Sequence, residues 1–297
     1  MHEGELELTT ATAARLIAQR FPELAGLPLQ RVPTTGTVNT IVRIGDALVA
    51  RFPLVGETEE ALATESAAMS ELADVCPVAS PRPFGTSPAT PEYPSAWSVQ
   101  TWVPGDAAAH DDHVSSTALA GDITELISSL RSVDVRGRVF DGRGRGGILS
   151  DHDDWVSLCI ERSGHLLDAA RVRRLWDALR TIGADEPAVM SHRDLTPFNL
   201  LVSDDRLVGV LDGGGFGPAD RSLDLVAAWH LFDAPRRRII RDGLGSRDVE
   251  WRRGAAWALQ QAMGLIWYYE NSNPAMSALG RSTMRRLLDA DELSSLG

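Results

Sequence analysis

Ser191–Gly215 reads SHRDLTPFNLLVSDDRLVGVLDGGG, and three polar residues stand in it at telling intervals: Asp194, Asn199 and Asp212. Two short apolar runs, LLVS and RLVGV, flank Asp204-Asp205 and read as strands of a hairpin. Such a hairpin returns Asp212 beside the loop that carries Asp194 and Asn199. Phosphoryl transfer asks little covalent work of a protein. One carboxylate orients the attacking hydroxyl and takes its proton, and oxygen ligands hold Mg2+ against nucleotide phosphates. Asp194 suits the first role; Asn199 and Asp212 suit the second. His192 reads as an anchor of loop backbone. Asp220 and Asp224 read as helix N-cap or first-turn acids, with the variant that one of them braces the catalytic loop through Arg193. Gly213–Gly215 follow the last metal ligand and read as a side-chain-free turn that leaves room at a substrate mouth.

Outward from this stretch, composition narrows the field. The 297 residues carry a net charge of −12, which counts against a nucleic-acid partner and suits a cationic small molecule. The chain contains no lysine, so all 29 basic residues are Arg and an Arg must do the work of a phosphate-binding Lys. No run of 18 apolar residues occurs, which argues against a membrane span, and MHEGELELTT is acidic without the apolar core of a signal peptide. Cys76 and Cys159 are too few and too far apart for a disulfide framework or zinc site. They read as buried thiols of a cytoplasmic protein.

Patterning before residue 104 is β-rich. A helix is expected over 10–20, a short strand at 29–33, and strands IVRIG and ALVARF joined through Gly45-Asp46. A helix over 57–72 buries Leu62, Met69 and Leu72, prolines 77, 81 and 83 break the chain, and WSVQTWV is a further strand. From 115 onward the pattern is mostly helical. The expected domains are 1–103, a nucleotide-binding lobe ending in a hinge, and 104–297, a helical lobe with catalytic loop and substrate cleft. DGRGRGGILS, 141–150, imitates a phosphate loop but follows no strand and lacks a Gly-Lys-Ser/Thr ending, so it reads as a mobile loop.

The ordered set of segments resembles the aminoglycoside phosphotransferase family over residues 28 to 275. HRDLTPFN matches its His-x-Asp-x-x-x-x-Asn motif, VGVLD its metal strand, and Asp224-Leu225 its downstream Asp-Leu. TTGTVNTIVRIGDALVARFP looks like its nucleotide-loop hairpin and WSVQTWVPGD like its adenine hinge; RGRGGIL and WALQQAMGLIWYYENSNP look like further family segments. The resemblance implies an α+β, bilobal, protein-kinase-like fold: a small antiparallel sheet with one main helix, then a larger helical lobe. It implies that Arg51 pairs with nucleotide phosphates, held by Glu65, with Glu60 and Glu71 as alternatives. Thr35, Gly36 and Thr37 would offer backbone N–H groups to phosphates, and the backbone of Gln100 and Trp102 would take the base edge, the Trp102 side chain belonging to the core. An acidic substrate cleft would draw on Asp151, Asp154, Trp267 and Glu270, with Asp111, Asp112, Asp153, Tyr268 and Tyr269 as further candidates.

The implied activity is Mg2+-dependent transfer of the γ-phosphate of ATP or GTP to a hydroxyl of a small molecule. An aminoglycoside antibiotic comes first, giving resistance by modification; a macrolide, another antibiotic or a metabolite follows. A reading from another class is a catalytically silent nucleotide- or ligand-binding protein, motivated by Gly213–Gly215 and the absence of Lys. HRDLTPFN also matches a protein-kinase catalytic loop. That reading fails on the missing G-x-G-x-x-G and V-A-I-K, and on the eight positions from Asp212 to Asp220, too few for an activation loop.

Overall fold

The computed structural model describes residues 6–33, 38–108 and 111–296. The chain divides into two compact units, the first made of Met1–Asp74, Ala79–Pro104 and Leu211–Gly214 and the second of the remainder. The sequence reading assigns Asp212 to the helical lobe, whereas its segment groups with the first unit.

In the first unit, helix α1 (Thr10–Arg20) starts at Thr9, whose hydroxyl caps the Thr12 N–H. Strands β1 (Leu29–Val32), β2 (Asn39–Ile44), β3 (Leu48–Pro53), β4 (Pro83–Ser87) and β5 (Trp97–Thr101) form one antiparallel sheet in the order β1-β2-β3-β5-β4. Burial alternates along β2, with Thr40, Val42 and Ile44 facing inward, as a half-buried strand requires. The core gathers Ile17, Phe21, Phe52, Tyr93 and Trp97, and the Phe52 and Trp97 rings stack at 4.7 Å. Helix α2 (Glu59–Val75) buries Leu62, Met69 and Leu72 behind an acidic first turn.

Strand β4 is a departure from the sequence reading, in which Pro83 only breaks the chain, with Pro77 and Pro81 before it. Pro83 opens an edge strand, where a missing N–H is tolerated. A Cβ on Gly85 would lie 2.7 Å from the Phe21 ring, so glycine there lets Phe21 close over the strand.

The second unit is mostly helical. It holds α3 (Thr117–Arg131), α4 (Asp153–Arg162), α5 (Ala169–Leu179), α6 (Val226–Leu231), α7 (Ala234–Leu244), α8 (Asp248–Tyr268) and α9 (Pro274–Leu288). Buried Trp229, Trp251 and Trp257 fill much of its core. Between the helices lie a three-stranded sheet of β6 (Asp106–Ala107), β8 (Leu200–Ser203) and β9 (Arg206–Val210), and a pair made by β7 (Val189–Ser191) and β10 (Gly217–Ala219). The β8–β9 turn puts Asp204 and Asp205 at φ 50° and 58°, the left-handed pair that a two-residue hairpin prefers. No helix among the described residues is long and apolar enough to cross a membrane. Cys159 is buried, which pushes its thiol up to about 11; Cys76, expected to be buried, is only half-buried.

Candidate active site

The catalytic loop runs from β7 to β8 in the second unit. Its tightest feature is Arg193, whose φ of 72° is unusual for a side chain with a Cβ and has to be held from outside. The Arg193 N–H donates to Ser191 Oγ and to Asp224 Oδ1, each at 3.0 Å, and the His192 N–H donates to Asp224 Oδ2 at 2.9 Å. Asp224 therefore braces the loop through the His192 and Arg193 N–H groups rather than capping a helix. The Arg193 guanidinium donates to Asp141 Oδ1 (3.1 Å), the Arg143 carbonyl (3.3 Å) and the Pro218 carbonyl (2.9 Å). It also covers the Phe140 ring at 5.0 Å. The adjacent guanidinium and the Arg143 N–H hold the Asp141 carboxyl below its ordinary range, against the opposing pull of partial burial.

This loop presents Asp194. Its N–H donates to Nδ1 of the fully buried His192 at 3.3 Å. Asn199 Nδ2 donates to the Asp194 carbonyl (2.9 Å) and to Asp194 Oδ2 (3.2 Å). The other carboxylate oxygen, Oδ1, lies 3.0 Å from Arg145 Nε. Asp220 is not a helix cap either: its carboxylate pairs with Arg253, accepts from Trp257 Nε1 at 3.2 Å, and receives both the N–H and the hydroxyl of Ser222. Those donors keep the Asp220 carboxyl low although burial pushes the other way.

The second cluster lies in the first unit. Arg51 on β3 is well shielded, and its Nη2 donates to Asp212 Oδ1 at 3.1 Å. The ion pair of Arg51 is thus with Asp212. Glu65, expected to hold Arg51, acts on it through charge, and burial raises the Glu65 carboxyl above its usual range while Arg51 pulls it down. Arg51, Glu65, Asp212, Val38, Leu62 and Ser98 line a cavity of about 440 Å³, within the range of small-molecule sites. A smaller cavity of about 340 Å³, lined by Thr10, Ala14, Ile17 and Leu27 among others, has no titratable group in its wall.

Asp212 itself has φ 60°. The glycines after it form a 3-10 turn, Gly213–Gly215. They do not leave open space as the sequence suggests. A Cβ on Gly213 would lie 2.3 Å from Leu72 Cδ2, and one on Gly214 would lie 3.2 Å from Glu65 Cγ. The glycines let α2 close directly onto the Asp212 turn. Gly213→Ala is expected to destabilise the protein by about 1–3 kcal/mol, because fully buried Leu72 must leave its rotamer. Gly215→Ala, whose Cβ would meet only the His192 carbonyl at 3.7 Å, is expected to be neutral. Urea unfolding of both variants checks the contrast.

The remaining expectations fare unevenly. Thr35, Gly36 and Thr37 lie outside the described residues. Gln100 is buried on β5 opposite Val49. Trp102 departs from expectation twice: its N–H is already given to the Ala47 carbonyl at 2.8 Å, and its partly exposed ring carries Arg43 at 5.0 Å. Asp151 and Asp154 are exposed, Glu270 faces His165 at 3.2 Å, and Trp267 sits in an aromatic chain with Trp155 and Tyr268. Asp153 is committed to Trp176 and Arg180, and Asp111 to Arg286. Among the described residues no three His, Cys, Asp or Glu side chains gather as a metal cluster. Arg145 was missed because the 141–150 loop reads as mobile; it is held by Arg193. Its signal in sequence was the run of glycines and arginines itself.

Comparison with known proteins gives the chain a family and a fold. The model of the phosphotransferase enzyme family matches residues 30–257. Solved structures that resemble the chain include the GDP complex of aminoglycoside 2'-phosphotransferase-IIIa, at 15% identity over 94% of this chain and 99% of that one, with a TM-score of 0.66. The macrolide 2'-phosphotransferase MphH from Brachybacterium faecium, as apoenzyme, matches at 19% identity over 92% and 97%, with a TM-score of 0.59. The streptomycin–ATP ternary complex of APH(2")-IIa matches at 14% identity over 97% and 98%, with a TM-score of 0.60. At these identities the likeness shows the fold, that of kinase-like phosphotransferases. No curated protein sequence matches the chain significantly.

Proposed function

Because this chain belongs to the phosphotransferase enzyme family, whose members are small-molecule kinases, we propose that it transfers the γ-phosphate of ATP or GTP to a hydroxyl of a small molecule in the cytoplasm. The observation that carries the reading is the presentation of Asp194. A loop strained at Arg193 and fastened by Asp224 holds a half-buried carboxylate with Asn199 locked against it. A scaffold that maintains such strain supports a fixed catalytic group.

In this reading the substrate hydroxyl oxygen attacks the γ-phosphorus, and its proton passes to Asp194. The bond from the γ-phosphorus to the bridging oxygen breaks, and the electron pair stays with the nucleoside diphosphate. Arg51 holds phosphate oxygens with its planar fork. Asn199 and Asp212 suit Mg2+. The Asn199 amide spends its nitrogen on Asp194, which turns its oxygen away as a free acceptor, and Asp212 offers a carboxylate already able to pair with a cation. Bound Mg2+ would supply positive charge to the phosphates.

The substrate proposed first is an aminoglycoside, supported by the net charge of −12 and by structural relatives that carry kanamycin and gentamicin. A macrolide is the second reading. It is favoured by exposed Trp155, Leu158 and Tyr268, an apolar face on α4 and α8 that a polycationic sugar does not need. Expression in susceptible bacteria, screened across antibiotic classes with Asp194→Asn as control, tests both. Resistance confined to one class and lost in the variant identifies the substrate. Nucleotide binding without turnover on any acceptor would leave the silent-protein reading in its place.

A further inference from the structure

We propose that Arg145 is a catalytic residue, a cation supplied from the 140–147 loop that neutralises the phosphoryl group as it leaves the nucleotide at Asp194. The inference rests on the phosphotransferase reading above. It begins with the need for charge. The transferring phosphoryl group spreads negative charge over its outer oxygens, and cations placed there give large rate gains. This chain has no lysine and no basic residue between Asp194 and Asp205, so the catalytic loop brings no cation of its own after the base.

The loop that carries Arg145 is built against the catalytic loop. Gly142, Gly144, Gly146 and Gly147 have φ of 76°, 68°, 134° and 88°, a winding that residues with a Cβ rarely adopt. A Cβ on Gly146 would lie 2.8 Å from the Phe140 ring, so the loop folds back on its own aromatic. That aromatic supports Arg193, and Asp141 and the Arg143 carbonyl accept from the same guanidinium. Arg193 thereby registers this segment, two residues from Arg145, against the residue next to the base.

The orientation of Arg145 suits the role. Nε lies at ion-pair distance, 3.0 Å, from Asp194 Oδ1, and among the described residues no contact is seen for Nη1 and Nη2. The Arg145 side chain is 40% exposed, so its outer end is open to solvent, whereas Asp194 Oδ1 itself is buried. A phosphoryl group carrying more than one negative charge competes well for the free end of the fork. Arg145 forms no covalent bond. The substrate oxygen bonds to phosphorus, the bridging oxygen keeps the breaking electron pair, and Asp194 takes the proton.

The test uses the full chain with Mg2+ and γ-labelled ATP or GTP, following transfer to water and to any acceptor found. Arg145→Ala and Arg145→Gln are expected to lower kcat about 10²–10³-fold. The KM for nucleotide should stay within about threefold, because the contact is made in the transition state. Arg145→Lys should recover part of the loss, and guanidinium salts should restore part of the rate of Arg145→Ala. Rates for Arg145→Ala within about threefold of the parent would overturn the proposal. So would a loss that neither lysine nor guanidinium relieves and that comes with a lowered melting temperature, which would assign Arg145 to loop structure. A parent protein that transfers phosphate to neither water nor acceptor sinks the phosphotransferase reading and this inference together. An active parent with an unaffected Arg145→Ala sinks this inference alone.

Discussion

Asp194→Asn is expected to lower kcat about 10³-fold, the usual contribution of a positioned general base. The substitution keeps the shape of the side chain and an oxygen for the Asn199 amide, so the bond now at 3.2 Å is retained. The Asp194 N–H to His192 and the two N–H groups held by Asp224 are backbone contacts that the change leaves in place. What disappears is the proton acceptor. Thermal stability and nucleotide affinity should stay close to the parent values, the latter within about twofold, because uniform binding is untouched. Steady-state kinetics beside nucleotide titration separates the two. A kcat within tenfold of the parent would remove Asp194 from the role of base.

Asp212→Asn is expected to be as damaging to turnover, about 10³-fold, with a different companion signature. Asp212 sits at φ 60°, a backbone region that asparagine accepts more readily than most residues, so the fold should not weaken. The change removes the anionic partner of Arg51 and the negative charge that helps to raise the Glu65 carboxyl. The Glu65 carboxyl should then fall toward its ordinary range. The Mg2+ concentration for half-maximal rate should rise, because one hard anionic ligand has become neutral. Calorimetry and a Mg2+ titration of the rate read the two effects apart. Lost stability with an unchanged Mg2+ requirement would make Asp212 a structural partner of Arg51 only.

Much of the fold was legible where local chemistry and tertiary packing agree. The β8–β9 hairpin follows from two apolar runs around Asp204-Asp205, and both residues accept the left-handed turn. The face of α2 follows from Leu62, Met69 and Leu72. Strand β4 was hidden because Pro83 and Gly85 look like breakers. Only its edge position and the approach of Phe21 make it a strand. The glycines after Asp212 were misread for a related reason. Sequence shows that they lack side chains, but not that Leu72 and Glu65 occupy the space.

The site shows the same division. Asp194 and Asn199 could be joined from sequence because they lie five positions apart in one loop. Asp224 could be placed near the loop but not joined to the His192 and Arg193 N–H groups, since that contact spans 31 and 32 positions. Trp102 looked free to meet a base until its N–H proved to be engaged by Ala47. Arg145 stood out in sequence only as part of a glycine- and arginine-rich run, because its meaning depends on Arg193 gathering that loop against the base.

The central claim is that this chain moves a γ-phosphate and that Asp194 makes the acceptor reactive. Its most direct test is the transfer of label from γ-labelled ATP and GTP, with Mg2+, to a panel of aminoglycosides and macrolides by the parent protein and by Asp194→Asn. The account predicts a labelled antibiotic with the parent and about 10³-fold less with the variant. Equal labelling by both proteins, or nucleotide bound by the parent without label reaching any acceptor, would contradict it.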